Sequence, residues 1–564
     1  MKSKLVLYAF AAIGLLFGVS VSAQSYAITN AKIVTVSGAT IEKGTVVVRD
    51  GLIESVGPDA RVPADAQVFD GTGLTVYPGF TDAFSNLGLA APARPTTGGG
   101  PGGGGGGQAA AAAAAAQAPS SNSNYPAGLR PEYSTIDDVR AGESQFDANR
   151  NAGFTTALSV GRERIFNGQS ALIDLAGDSV SEMTVKSPVA MHISFSTIPG
   201  QYPGSLLGTF SALRQMFNDA RRLDELNKMY AANPKGMKRP EADKSLEALI
   251  PVLNRQMTVV FNANQENEIA RALDLAKEYN LKAIIAGGQE ADKFINRLKS
   301  QDVAVLLSLN FPKRTAAANP DADPESLETL RFRANVPKVA GKLAAAGVKF
   351  AFQSGGATSV NDFFTSINRS TENGLSKDAA VRAMTLAPAE IFGVSDRMGS
   401  VEAGKIANLT VVKGDLFANQ RTITHVFVDG KLFEPKAPEP PAGRGPGGRG
   451  PQRTDGAASE SNGGPANVGG TYSISIQTPD GGITGSLNIV QTGSTLTGTM
   501  TTDLGSVPLR DGRVTANGMS FAGTVSVGGQ SIDFTVQAAV SGNQLSGSVT
   551  SAMGSMPMTG TKNP

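Results

Sequence analysis

Short apolar runs alternate with helix-period segments from about residue 132 to 397, and that alternation narrows the possible folds more than any other feature. FTTALSV (154–160), MTVVFNA (257–263), LKAIIAG (281–287), VAVLLSL (303–309) and VKFAFQS (348–354) read as strands buried on both faces. Between them, ENEIARALDLAKEY, EADKFINRLKS and LRFRANVPKVAGKLAAAG read as helices. Doubly buried strands joined by helices imply a parallel α/β architecture.

The flanks read differently. AKIVTV, GTVVVRDGLIESVG and AQVFDGTG, within 26–77, are strand-like and punctuated by turn residues. Strand patterns return over 385–434. TGGGPGGGGGGQAAAAAAAAQ (97–117) lies in a Pro/Gly/Ala/Ser-rich insert spanning about 90–125, whose glycines cannot repay the entropy of ordering. A second Pro/Gly/Arg-rich stretch, 437–468, reads as an extended linker. After it, 469–564 is an all-β module of about eight strands, expected to close as an antiparallel barrel or sandwich. Asn517-Gly518 and Gly542-Asn543 mark hairpins within it.

Residues 1–23 have the layout of a secretory leader: Lys2 and Lys4, an apolar run, then Val21-Ser22-Ala23 before Gln24. A periplasmic or extracellular location is expected, with no membrane span after cleavage. A net charge of +1 gives no electrostatic case for nucleic acid. The chain has no cysteine and only two histidines, His192 and His425. Disulfides and thiol nucleophiles are therefore excluded, and the usual strong donors for zinc are scarce.

PGFTDAFSNLGL (78–89) carries a resemblance to the amidohydrolase superfamily, in its imidazolonepropionase-like branch. The matching family segment reads Pro-Gly-Phe-Ile-Asp-Ala-His-x-His-Leu-Gly. TLAPAEIFGVSDRMGSVEAGKIANLTVVKGD, from Thr385, resembles the family's closing segment, with Asn408 where an Asp is usual. The resemblance covers about 26–436. It implies a (β/α)8 barrel over 78–397 and a composite β-sandwich from 24–77 and 398–436. It also implies zinc or another divalent metal, and hydrolysis of carbon–nitrogen bonds.

The resemblance implies metal-ligand positions as well, and here they hold other residues. Phe84 and Asn86 stand where the paired histidines belong. Asn262, in VVFNANQENEI, stands at the next histidine, and Gly287 near the following one. Gly355, after Gln353 and Ser354, stands where the family places an Asp. A phenyl ring donates nothing to a metal, and amide oxygens are weak neutral donors. No resident metal is therefore expected. Asn86, Asn262, Gln353 and Ser354 suit hydrogen bonding to a small amide or peptide instead.

Three readings follow: a metal-less binding or assembly protein, a hydrolase with a rebuilt carboxylate or metal-free site, and a partner for an intact homologue or a second copy. His192 lacks an evident orienting partner in the sequence, and His425 is expected to be structural. GRERIFNGQSALIDLAG (161–177) is expected to form a hairpin or loop. Glu266 and Glu268, two apart, are not expected to act as an acid/base pair.

Overall fold

The computed structural model describes residues 24–90, 128–314 except 143–144, 163–164, 199 and 201, then 325–418 except 356–358, and 421–435. It also describes 468–563 except 479–480, 494, 504, 516–517, 528–529, 542 and 552–553. The leader (1–23), nearly all of the Gly/Ala-rich insert and nearly all of the second linker lie outside the described residues. The chain divides into two compact units, 1–442 and 443–564.

In the first unit, β1 (Tyr26–Ile33), β2 (Ile41–Arg49), β3 (Leu52–Gly57), β4 (Gln67–Asp70) and β5 (Leu74–Pro78) form one part of a sheet. Asp50 and Gly51 both take positive φ (53° and 79°), as a two-residue β2–β3 hairpin requires.

The barrel begins with β6 (Phe80–Ser85) and β7 (Phe154–Ser159), which run parallel. β8 (Phe166–Gln169) and β9 (Ala171–Asp174) are two parts of one run, and β10 (Thr184–Lys186) pairs with β9. β11 (Ala190–Ser194), β12 (Thr258–Ala263), β13 (Ala283–Gly287), β14 (Ala304–Ser308) and β15 (Phe350–Gln353) follow in parallel order. The barrel closes where Gly355 N–H donates to Phe84 O at 3.0 Å.

The segment 161–177, expected as a hairpin or loop, instead contributes a barrel strand over 166–174. Residues 171–174 pair antiparallel with β7, and 166–169 pair antiparallel with β11. The barrel thus has seven parallel strands and one reversed. Short apolar pieces broken by Gly168 and Ser170 hid this run from its periodicity.

Period-two alternation fills the barrel. Val259, Phe261, Ile285, Val305, Leu307 and Phe352 belong to the core shared with the helices. Their neighbours Val260, Ile284, Ala286, Leu306 and Ala351 form a separate buried cluster with Leu158, Leu172 and Ala190. That second set is the barrel interior, a packed core rather than a pore. Helix Leu206–Ala232 buries Phe210, Leu213, Met216, Phe217 and Ala220 at helical spacing, and Ser205 caps its start. Among the described residues no helix is long and apolar enough to cross a membrane.

β16 (Leu409–Lys413), β17 (Thr422–Val428) and β18 (Lys431–Phe433) return to the first sheet, with β16 antiparallel to β5. Sequence-distant ends therefore share eight strands.

In the second unit, β19 (Gly470–Thr478), β20 (Gly481–Thr492), β21 (Thr495–Thr502), β22 (Gly505–Pro508) and β23 (Arg510–Thr515) are followed by β24 (Gly518–Val527), β25 (Gln530–Ser541), β26 (Gln544–Ser551) and β27 (Gly554–Lys562). Eight of them close an antiparallel ring through β20–β21, and β22 pairs off it. Tyr472, Leu487, Met500, Phe521, Val536 and Leu545 fill the core. β23–β24 and β25–β26 pair antiparallel; Asn517 and Gly542 of the two predicted hairpin dipeptides lie outside the described residues.

Candidate functional site

The ends of β6 and β15 meet around Asp82. Its Oδ2 accepts from Ser354 Oγ at 2.5 Å, and its Oδ1 accepts from the Ser354 N–H at 2.9 Å and the Phe84 N–H at 3.3 Å. Burial raises the Asp82 carboxyl to about 6, against the lowering pull of those hydrogen bonds. Asp82 thus ties the first barrel strand to the last. Ser354 takes part in this closure.

His192 sits inside the barrel on β11 and is only 2% exposed. The partner that sequence alone did not reveal is Ser170: His192 Nε2 lies 2.8 Å from Ser170 Oγ. Ser170 Oγ also lies 3.3 Å from Ala190 O, and which of Ser170 and Nε2 donates follows the imidazole tautomer. Nδ1 is buried with no partner among the described residues. Burial lowers this imidazole to about 3. The Phe84 ring lies against it, with centroids 5.5 Å apart and planes at 62°.

The other predicted positions divide. Asn86 lies at the end of β6 and donates to Val160 O at 2.7 Å. Asn262 is exposed at the end of β12, with a long 3.5 Å contact to Ser194 Oγ. Gly287 is buried with φ 104°, and a Cβ there would meet Ala263 O at 3.0 Å. Gln353 is buried, and its Oε1 has no partner among the described residues. Gly355 takes φ 66° at the barrel seam. Sequence reasoning missed Asn264 and Gln289. Asn264 Nδ2 donates to Gln289 Oε1 at 2.9 Å, and Gln289 Nε2 donates to Asn310 O at 2.9 Å, lacing β12, β13 and β14 together. Only their places just beyond strand ends mark them in the sequence.

These residues do not fit a hydrolase metal. His192 offers a single lone pair, Phe84 covers its approach, and Gly287 and Gly355 have no side chain. Among the described residues no three His, Asp or Glu converge as a ligand set. The remaining candidates serve structure. Glu268 caps a helix by accepting from Asn264 and Gln265 N–H at 2.8 and 3.1 Å, while Glu266 pairs with Lys293 at 2.7 Å. His425 lies on β17 with its ring 4.9 Å from Phe69.

A cavity of about 1140 Å³ opens beside this seam. Asp82, Asn86 and Ser354 reach it from the strand ends, and helices Gln145–Arg150 and Val360–Glu372 flank it. The candidate set is therefore split: Asn86 and Ser354 border the cavity, whereas Asn262 lies at the end of β12 and Gln353 is buried in β15.

A strand–helix barrel joined to a sheet drawn from both sequence-distant ends is an α/β barrel-and-sandwich architecture. Comparison with known proteins narrows it. The profile of the Amidohydrolase family matches residues 259–433, from β12 to β18. An amidohydrolase from Thermotoga maritima MSB8 superposes with a TM-score of 0.58 at 23% identity, over 72% of this chain and 100% of that one. Looser likenesses include an adenosine deaminase from Xanthomonas campestris with bound zinc (TM-score 0.41, 16% identity, 72% and 92% covered). A putative prolidase from Bifidobacterium longum is similar at TM-score 0.40 and 17% identity, with 74% and 96% covered. No curated protein matches the chain. The fold is amidohydrolase-like, and the segment 259–433 is similar to the Amidohydrolase family.

Proposed function

We propose that this is an exported amidohydrolase-fold protein that binds a small amide or peptide and does not carry out metal-dependent hydrolysis. The observation that carries the reading is the contact between Phe84 and His192. The strand end where the family resemblance implies a metal holds a phenyl ring, packed on an imidazole that burial keeps neutral. Export rests on the leader-like residues 1–23.

A rebuilt hydrolase has one observation in its favour: Asp82 and Ser354 adjoin the cavity, and the carboxyl has been raised to about 6. Against it, both Asp82 oxygens are engaged in closing the barrel. The purified mature protein should be assayed on N-acyl amines, cyclic amides and dipeptides, with and without added Zn²⁺ or Mn²⁺. No turnover above buffer is expected. Turnover that follows the added metal would overturn the proposal, and metal-independent turnover lost in Asp82→Asn would favour the rebuilt site.

A further inference from the structure

The cavity at the barrel seam has an unmatched cation in its wall. Arg421, leading into β17, is half-buried and stacks its guanidinium 3.8 Å above the Phe364 ring. Phe364 belongs to an aromatic floor with Phe80, Phe154 and Phe363, whose ring centroids lie 5.1–6.1 Å apart. Stacking uses the face of a guanidinium and leaves its edge donors directed outward. Among the described residues no carboxylate pairs with Arg421. Burial lowers its pKa, and no neighbouring charge is among the causes of the shift.

Asn368, on the flanking helix and also in the cavity wall, has the complementary deficiency. Its side-chain Oδ1 is buried without a donor. The remaining wall is largely neutral and amide-rich, with Asn86, Asn149 and Asn361. The other cationic side chain there, Arg162, is exposed and directs one N–H to Ala90 O. An anion carrying one charge and one N–H donor would satisfy both deficiencies.

We propose that this cavity binds the C-terminal end of a short peptide or N-acyl amino acid, with the carboxylate on Arg421 and an amide N–H on Asn368. A planar carboxylate matches the fork of a guanidinium. One half-buried monocation balances a monoanion better than a phosphate dianion. Phe154 and Phe363, which line the cavity, offer apolar surface to the side chain next to the carboxylate. The cavity lies beside the strand-end seam, bordered by Asp82, Asn86 and Ser354. The assignment rests on the reading of a peptide-binding protein and stands whether or not hydrolysis survives.

The test is calorimetric titration of the full mature protein with N-acetyl-Ala-Ala as free acid, with its C-terminal amide, and with inorganic phosphate. The free acid is expected to bind at least about tenfold more tightly than the amide, with phosphate weaker than the acid. Arg421→Gln should erase the acid's advantage, and Arg421→Lys should keep part of it. Asn368→Asp, which leaves the Phe364 stack untouched, should weaken the acid more than the amide through like-charge repulsion. Equal binding of acid and amide, no binding of either, or preference for phosphate would overturn the assignment.

Discussion

Asn408 donates its side-chain amide to the buried carboxyl of Asp174 across 2.8 Å and so joins the returning sheet to the barrel. It also donates to Thr156 Oγ1 at 3.2 Å, and its Oδ1 accepts the Asp429 N–H at 2.8 Å. A neutral amide at this position meets an acid whose pKa burial has raised to about 7. An Asp at 408 would set two carboxyls against each other. Asn408→Asp should cost about 2–4 kcal/mol at pH 8 and less at pH 5, read from urea unfolding midpoints.

Asp174 also sets a pH dependence. Its folded pKa of about 7 lies above the unfolded value of 3.8, so the unfolded chain releases its proton first as pH rises. The resulting contribution to stability is fully present below about pH 4 and is lost up to about pH 7, by at most about 1.4 kcal/mol per pH unit. Asp82 acts with the same sign up to about pH 6. Asp174→Asn should flatten its share of this fall, seen as a difference between wild-type and variant midpoints across pH 4–8.

His192 works in the opposite direction. Its imidazole is lowered from 6.5 to about 3, so the unfolded chain takes up the proton first as pH falls. Its contribution is present above about pH 6.5 and is lost toward about pH 3. Over pH 4–6.5 it offsets part of the effect of the two acids. The ring nitrogen and carbon shifts of His192 should stay those of a neutral imidazole at pH 5 by NMR. A titration near 6.5 in the folded protein would contradict this assignment.

Phe84 is expected to be a packing residue. Phe84→Ala should destabilise the first unit by about 2 kcal/mol, less than a fully buried phenylalanine because the ring is partly exposed. It should also free the buried face of His192 and raise that residue's pKa, which NMR titration would detect.

Gly287 is held by backbone geometry. With φ 104° and Ala263 O only 3.0 Å from a would-be Cβ, Gly287→Ala should cost about 1–3 kcal/mol. Gly347→Ala, also at positive φ (70°) but with nothing near its Cβ, should cost less.

Much of the fold was legible because buried parallel strands announce themselves as apolar runs. β7, β12, β13, β14 and β15 all lie within the predicted segments. The strand-rich module after residue 468 closed as its alternation implied. The reversed strand was not legible, since its two short halves meet at Ser170 and their pairing is wholly long-range. At the site, the substituted positions could be read one at a time. The partnership of His192 with Ser170, the Asp82–Ser354 seam and the stacking of Arg421 on Phe364 join residues 22, 272 and 57 positions apart, and no local pattern encodes them.

The proposed absence of a hydrolase metal is open to a measurement of metal content. Mature protein should be incubated with Zn²⁺ or Mn²⁺, dialysed, and its bound metal measured by elemental analysis. Less than about a tenth of an equivalent is expected, because no set of imidazole and carboxylate donors converges among the described residues. One equivalent retained per chain would contradict it and would mean that donors other than those at Phe84, Asn86, Asn262, Gly287 and Gly355 hold the ion.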